Sequence, residues 1–216
     1  MTPWTKDQMA ARVARDIDDG AVVNLGIGMP TLVANHFGTG SLRKEVMLHS
    51  ENGVIGMRPA PAAGEEDCDL INAGKQPVTL LPGGAFFHHA DSFAMMRGGQ
   101  VDVCVLGAFQ VSAQGDLANW HTGATDAIPA VGGAMDLATG ARKTWIMMEH
   151  NTKSGDAKLV PACTYPLTGL ACVSRVYTEL AVLDITPLGV AVRELTDGLE
   201  FAALQARTGF ELLRPA

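Results

Sequence analysis

Apolar and polar positions change period several times along the chain, and each change marks an element. Met9, Val13 and Ile17 recur every four residues, which puts them on one stripe of a helix. Thr5-Lys6-Asp7-Gln8 ahead of them has the capping-box form. In it the Thr hydroxyl accepts from the Gln backbone N–H, and the Gln side chain accepts from that of Thr. Asp18-Asp19-Gly20 ends this helix, and Ala21 to Leu25 is a short apolar run of strand type. The run feeds Gly26-Ile27-Gly28, after which Pro30, suited to a first helical turn, opens a second helix through Asn35. Glu45 to Ser50 is a second strand, closed by the sharp turn Glu51-Asn52-Gly53. Residues 58–69 are Pro/Ala-rich and then acidic, a surface loop. Pro77 to Leu81 is strand-like and stops at Pro82-Gly83-Gly84.

The second half continues in the same manner. His88 to Arg97 reads as a helix closed by Gly98-Gly99, and Val101 to Leu106 as another apolar strand. Residues 108–120 predict a hairpin turning at Gln114-Gly115. Gly132-Gly133 precede a short helix from Ala134, and Thr144 to Met148 is apolar again. Leu180 to Leu195 predicts a late hairpin around Pro187-Leu188-Gly189. Asp197 caps a last helix, Leu199 to Arg207, with Gly209 as its terminator. Strands alternate with helices and glycine turns from 20 to 148. That pattern predicts an α/β fold, a mainly parallel sheet flanked by helices. No shift of composition marks a linker, so residues 1–216 are read as one domain.

Composition narrows the class of function. The 216 residues are 47% apolar and 18% charged, an ordinary globular mixture. The formal net charge is −7, the opposite of what a nucleic-acid binder carries. The N-terminus is charged throughout and has no apolar core of a secretory signal, and no window reaches the ~18 apolar residues of a membrane span. The four cysteines form no C-x-x-C pair and read as reduced thiols of a cytoplasmic protein.

Several chemistries are missing from the sequence. There is no P-loop, no G-x-S-x-G elbow and no H-E-x-x-H, and Gly26-Ile27-Gly28 lacks the third glycine of a dinucleotide fingerprint. His88, His89 and Asp91 could be metal ligands, but adjacent helical residues point about 100° apart, so no metal is assigned. What remains is a carboxylate, Glu51, placed where an apolar strand stops. In open α/β sheets the carboxyl ends of strands line the ligand crevice. Glu51 is either an idle, solvated turn residue or a nucleophile. An ionised carboxylate can attack an activated acyl group with no base to deprotonate it. A thiolate leaving group, from a thiol of pKa about 8.5, needs no strong acid either. Thioesters therefore suit a sequence without a catalytic triad. Such a site needs N–H donors for an oxyanion, and the glycine turns Gly132-Gly133 and Gly26-Ile27-Gly28 can supply them. Asn52 offers an amide that could orient a carbonyl.

GIGMPTLVAN (26–35), HSENGVIG (49–56), DLINAGK (69–75), ADSFAMMRGG (90–99), GDLANW (115–120), GGAMDL (132–137) and YPLTG (165–169) together resemble the B subunit of the two-subunit 3-oxoacid CoA-transferases. The resemblance runs from about residue 5 to 212. HHADSF (88–93) and NWHTGATDAIPAVGG (119–133) follow the pattern of that family's 3-oxoadipate branch. The resemblance implies a CoA-transferase B-subunit fold and a ping-pong exchange between succinyl-CoA and a 3-oxo acid. Glu51 matches the family's catalytic glutamate and would pass through a glutamyl-CoA thioester. Gly132 or Gly133 matches a backbone oxyanion donor, and a second donor is expected on an A subunit. CoA thioester is substrate here, and no further cofactor is implied. Gly26, Gly28 and Asn52 are expected at the substrate. Its distal carboxylate needs a cation or strong donors, for which His88 and His89 come first, ahead of His121, Arg58 and Arg97. Two alternatives stay open. One is the B subunit of a succinyl-CoA:acetoacetate or acetate:acetoacetate CoA-transferase. The other is a non-catalytic effector-binding module on a similar fold, although no basic helix-turn-helix segment accompanies it.

Overall fold

The computed structural model describes residues 1–37, 44–58, 60–124, 129 and 131–214. The first helix, α1 (Lys6–Asp16), begins at the capping box: Thr5 Oγ1 accepts from Gln8 N at 3.2 Å and Gln8 Oε1 from Thr5 N at 2.9 Å. Its stripe is buried, with Met9, Val13 and Ile17 all in the core. Strand β1 (Val22–Leu25) follows. The helix expected at Pro30 is a 3₁₀ helix, Met29–His36. Pro30 removes one donor from the first turn. There Thr31 bonds the Gly28 carbonyl twice, through N at 3.1 Å and Oγ1 at 2.7 Å, which tightens the winding.

Strands β2 (Met47–Ser50), β3 (Val54–Arg58) and β4 (Thr79–Phe86) form an antiparallel run. Here the structure corrects one expectation, because β4 continues through Pro82-Gly83-Gly84. The strand lies at the edge of the sheet, where a proline's missing N–H need not cost a ladder bond. The glycines serve a close crossing of two backbones: a Cβ on Gly56 would sit 2.9 Å from Gly84 Cα. Next come α2 (His89–Arg97), β5 (Val103–Leu106), and the hairpin β6 (Gln110–Ser112) and β7 (Leu117–Ala118). After them stand α3 (Ala134–Gly140), β8 (Lys143–Met147) and β9 (Leu159–Val160). Strand β10 (Val173–Tyr177) leads to the late hairpin β11 (Ala181–Thr186) and β12 (Gly189–Leu195). The chain closes with α4 (Phe201–Gln205) and β13 (Leu212–Leu213). Asp197 does not cap this last helix. Leu199 is drawn into the core and its N–H bonds Thr196 O at 3.1 Å, so the helix starts later, at Glu200.

The ten-stranded sheet runs β13-β12-β11-β10-β8-β5-β1-β2-β3-β4. Its centre, β10-β8-β5-β1-β2, is parallel, and antiparallel runs flank it on both sides. Alternate side chains of the central strands feed two cores. Cys104, Leu106 and Ile146 pack on the side of α2 and α3, with Met96 and Leu137. Val103, Val105, Trp145 and Met147 pack on the side of α1 and the 3₁₀ helix. β10 is hidden in the sequence because Ser174 and Arg175 interrupt its apolar run. Arg175 is held there by Asp16 at 3.1 Å and by Asp184, and its guanidinium lies 5.3 Å from the centre of the Trp145 ring. The carboxyl ends of β1, β2, β5 and β8 all open on one side, and the site is built there.

Candidate active site

Glu51 follows β2 directly. The turn that carries it is clamped: Gly53 N donates to Ser50 O, and Phe87 N to Gly53 O, both at 3.0 Å. Gly53 has φ +104°, and a Cβ there would lie 2.2 Å from Phe87 O, so only glycine closes this turn. Ser50 and Asn52 tie the turn to the next loop. Ser50 Oγ accepts from Ala73 N, and Asn52 Nδ2 donates to Ile71 O, each at 2.9 Å. Asn52 is exposed and spends its amide on this tie, outside the cavity that Glu51 faces.

That cavity measures about 470 Å³. Gly26 after β1, Glu51 after β2, Gly107 after β5 and Glu149 after β8 contribute to it from the strand ends. Gly132 and Gly133 close another wall at the start of α3. A Cβ on Gly133 would come 3.5 Å from Glu51 Cγ, so the glutamate stem lies directly against this backbone. Among the described residues, neither glycine N–H has an acceptor. The glutamate stem thus passes the beginning of a helix, where partial positive charge collects.

Asn24 is a site residue that pattern reading passed over. It lies fully buried in β1, and its Nδ2 is 3.4 Å from Glu51 Oε2. A polar residue inside the apolar run VVNL was the available signal. Behind it lies His49, whose pKa burial pushes down to about 4. Lys158 was also missed, for it sits in a polar stretch that reads as plain loop. It lines the cavity, and among the described lining residues it is the one lysine or arginine. Burial lowers its pKa, against the opposing pull of Glu149 and Glu179.

Of the remaining expected residues only Gly26 reaches the cavity. Gly26 lines the cavity, whereas Gly28 is exposed and accepts the Thr31 bonds. His88 caps α2, its Nδ1 accepting from Ala90 N at 3.1 Å. His89 stands edge-on to Phe93 at 4.7 Å, and Phe93 Cζ lies 3.4 Å from where a Gly133 Cβ would be. Both histidines are exposed, and neither lines the cavity. Nor do Arg58, Arg97 or His121; Arg97 is engaged by Asp136. Residues 125–128 and 130 of the segment 119–133 lie outside the described residues. Among the described residues no group of three or more His, Cys, Asp or Glu could hold a metal ion. No described helix is long and apolar enough to cross a membrane.

Comparison with known proteins adds to this geometry. The family model described as coenzyme A transferase matches residues 6–197. The chain is 67% identical over 210 residues to the B subunit of 3-oxoadipate CoA-transferase from Pseudomonas putida, covering 97% of each chain. It is 46% identical over 203 residues to the B subunit of a probable succinyl-CoA:3-ketoacid coenzyme A transferase from Bacillus subtilis, covering 94% of this chain and 92% of that one. The apoenzyme of an acyl-CoA transferase from Escherichia coli O157:H7 shares the fold, with TM-score 0.76 and 20% identity over 98% of this chain. This chain spans 42% of that polypeptide.

Proposed function

The chain belongs to the coenzyme A transferase family and is a CoA-transferase B subunit, and on that premise we propose that it works with an A subunit to move CoA from succinyl-CoA to 3-oxoadipate. Glu51 is the carrier of CoA in this reading, through a glutamyl thioester. One carboxylate oxygen attacks the thioester carbonyl of succinyl-CoA, giving a mixed anhydride and CoA thiolate. The thiolate attacks the Glu51 carbonyl, releasing succinate and leaving a glutamyl-CoA thioester. A carboxylate of 3-oxoadipate attacks that thioester, and the freed thiolate then attacks the oxoadipyl carbonyl, which restores Glu51. One thioester replaces another, so the exchange needs no ATP, and CoA enters as substrate rather than as a resident cofactor.

The observation that carries this reading is the placement of Glu51 on a cavity wall, against Gly133 and the Asn24 amide. Thioester and anhydride both hydrolyse, so water must be kept away from them. Ile27 and Phe109, both on the cavity, are 69% and 40% exposed, an apolar rim that suits cover by a second polypeptide. Succinate and 3-oxoadipate each carry a second carboxylate. Lys158, which shares the cavity with Glu51, is the cation assigned to it, in place of the two exposed histidines. The four free cysteines suit a reducing compartment, the cytoplasm.

The test mixes A and B subunits with succinyl-CoA and no acceptor. Peptide mass spectrometry should find CoA on Glu51, and Glu51→Ala should abolish both adduct and exchange. An unmodified Glu51 in active wild-type complex refutes the reading. Initial rates with 3-oxoadipate and acetoacetate then decide the acceptor, 3-oxoadipate being expected faster.

A further inference from the structure

Behind Glu51 stands a line of buried polar side chains for which the acyl exchange has no stated use. Asn24 and His49 are register partners on the parallel strands β1 and β2, so their side chains leave the sheet on one face. Asn24 Nδ2 lies 3.1 Å from His49 Nδ1, 3.2 Å from the His49 carbonyl oxygen and 3.4 Å from Glu51 Oε2. On its far side, His49 Nε2 lies 3.0 Å from Ser92 Oγ in α2. Asn24 and Ser92 are fully buried and His49 is 1% exposed.

The contacts of the Asn24 amide assign the ring hydrogen of His49. An amide nitrogen only donates, so His49 Nδ1 offers a lone pair. The neutral ring therefore carries its hydrogen on Nε2 and donates it to Ser92. Asn24 Oδ1, at the other end of the amide, is buried without a hydrogen-bond partner among the described residues. Rotating the amide would turn that oxygen toward a ring lone pair, a carbonyl and a carboxylate, three acceptors at once. A ring hydrogen on Nδ1 would remove the first of these objections, and the amide could then turn its N–H away from Glu51.

We propose that His49, in its Nε2–H form, is a positioning residue for the transfer: the Nδ1 lone pair it turns to Asn24 decides that the amide presents N–H, not carbonyl oxygen, to Glu51. The inference rests on Glu51 as the carrier of CoA and deepens that reading. When a thiolate attacks the Glu51 carbonyl, negative charge grows on an oxygen of this same group. An N–H dipole there lowers the barrier, and a reversed amide would raise it. His49 itself does not line the cavity that Glu51 faces.

The test uses the assembled A–B complex. In wild type, nitrogen NMR of labelled histidine should show His49 neutral with its hydrogen on Nε2; a hydrogen on Nδ1 overturns the proposal without any variant. His49→Leu should lower kcat by at least about tenfold with KM within about twofold, and slow adduct formation at Glu51 by the same factor. His49→Gln keeps an acceptor for Asn24 and a donor for Ser92, and should stay within about threefold of wild type. Equal losses in the two variants, or a wild-type kcat in His49→Leu, overturn the proposal. Should His49→Leu fail to assemble, His49→Phe, which keeps a ring and offers Asn24 no acceptor, replaces it with the same expected loss, and a wild-type kcat there refutes the inference. Failure of the parent reading looks different, because the wild-type complex would then exchange no CoA and carry no adduct while the NMR result stood.

Discussion

Replacing Gly53 by alanine tests whether the turn after Glu51 sets the reactive geometry. The backbone there has φ +104°, which an L-residue adopts at a cost of about 1–3 kcal/mol. The added Cβ would start 2.2 Å from Phe87 O and must withdraw by roughly 1 Å to reach an ordinary contact. That movement breaks the 3.0 Å bond from Phe87 N to Gly53 O, worth about 1 kcal/mol more. The sum is about 3 kcal/mol. For a chain of this size it corresponds to a Tm lower by about 6–12 °C. Glu51 sits two residues away in the same turn, and a displacement of about 1 Å at the reacting group costs about a hundredfold in rate. Gly53→Ala should therefore lose about a hundredfold in kcat at a temperature where the complex is still folded. Calorimetry and initial-rate assays on the same preparation read both numbers. A Tm within about 2 °C of wild type would refute the clamp. A lowered Tm with unchanged kcat would refute the link between the clamp and Glu51.

Two further predictions concern charge. His49 and His150 are buried, and burial pushes each pKa from 6.5 down to about 4. His150 is neutral between Thr178 Oγ1 at 3.1 Å and Thr208 Oγ1 at 3.0 Å. Unfolded, both rings take up protons below pH 6.5, while the folded chain does so only near 4. Stability is thus complete above the upper value and falls as pH drops through this window, by up to about 3 kcal/mol per ring. Urea midpoints measured through the window should fall steeply, and His150→Gln should flatten the slope by about one proton's worth; an unchanged slope contradicts the assignment. Lys158→Met should cut kcat/KM for 3-oxoadipate by about tenfold to a hundredfold, the worth of a charged hydrogen bond, and leave acetoacetate within about threefold. Equal losses on both acceptors would show that Lys158 does not hold the distal carboxylate.

Much of this was legible in the chain itself because it is local. The capping box of α1, the turn at Glu51-Asn52-Gly53, the hairpin at Gln114-Gly115 and the glycine pair before α3 each depend on residues within a few positions of one another. Glu51 could be singled out because it stands where an apolar strand ends and because its neighbours HSENGVIG carry a family pattern. Tertiary contacts decided the rest. Pro82-Gly83-Gly84 reads as a stop, yet it becomes strand because the sheet leaves β4 at an edge and needs small residues opposite Gly56. β10 could be found only once Arg175 had Asp16 and Asp184 to neutralise it. His88 and His89 lie in a segment that carries the family pattern but outside the cavity, whereas Lys158 and Glu51 come from distant stretches and line it together, with the Asn24 amide beside Glu51. Local pattern records which backbone conformation a segment prefers. It holds no record of which strand lies alongside, so the cation and the carboxylate that share one cavity, and the buried amide beside that carboxylate, were brought together only by the order of the sheet.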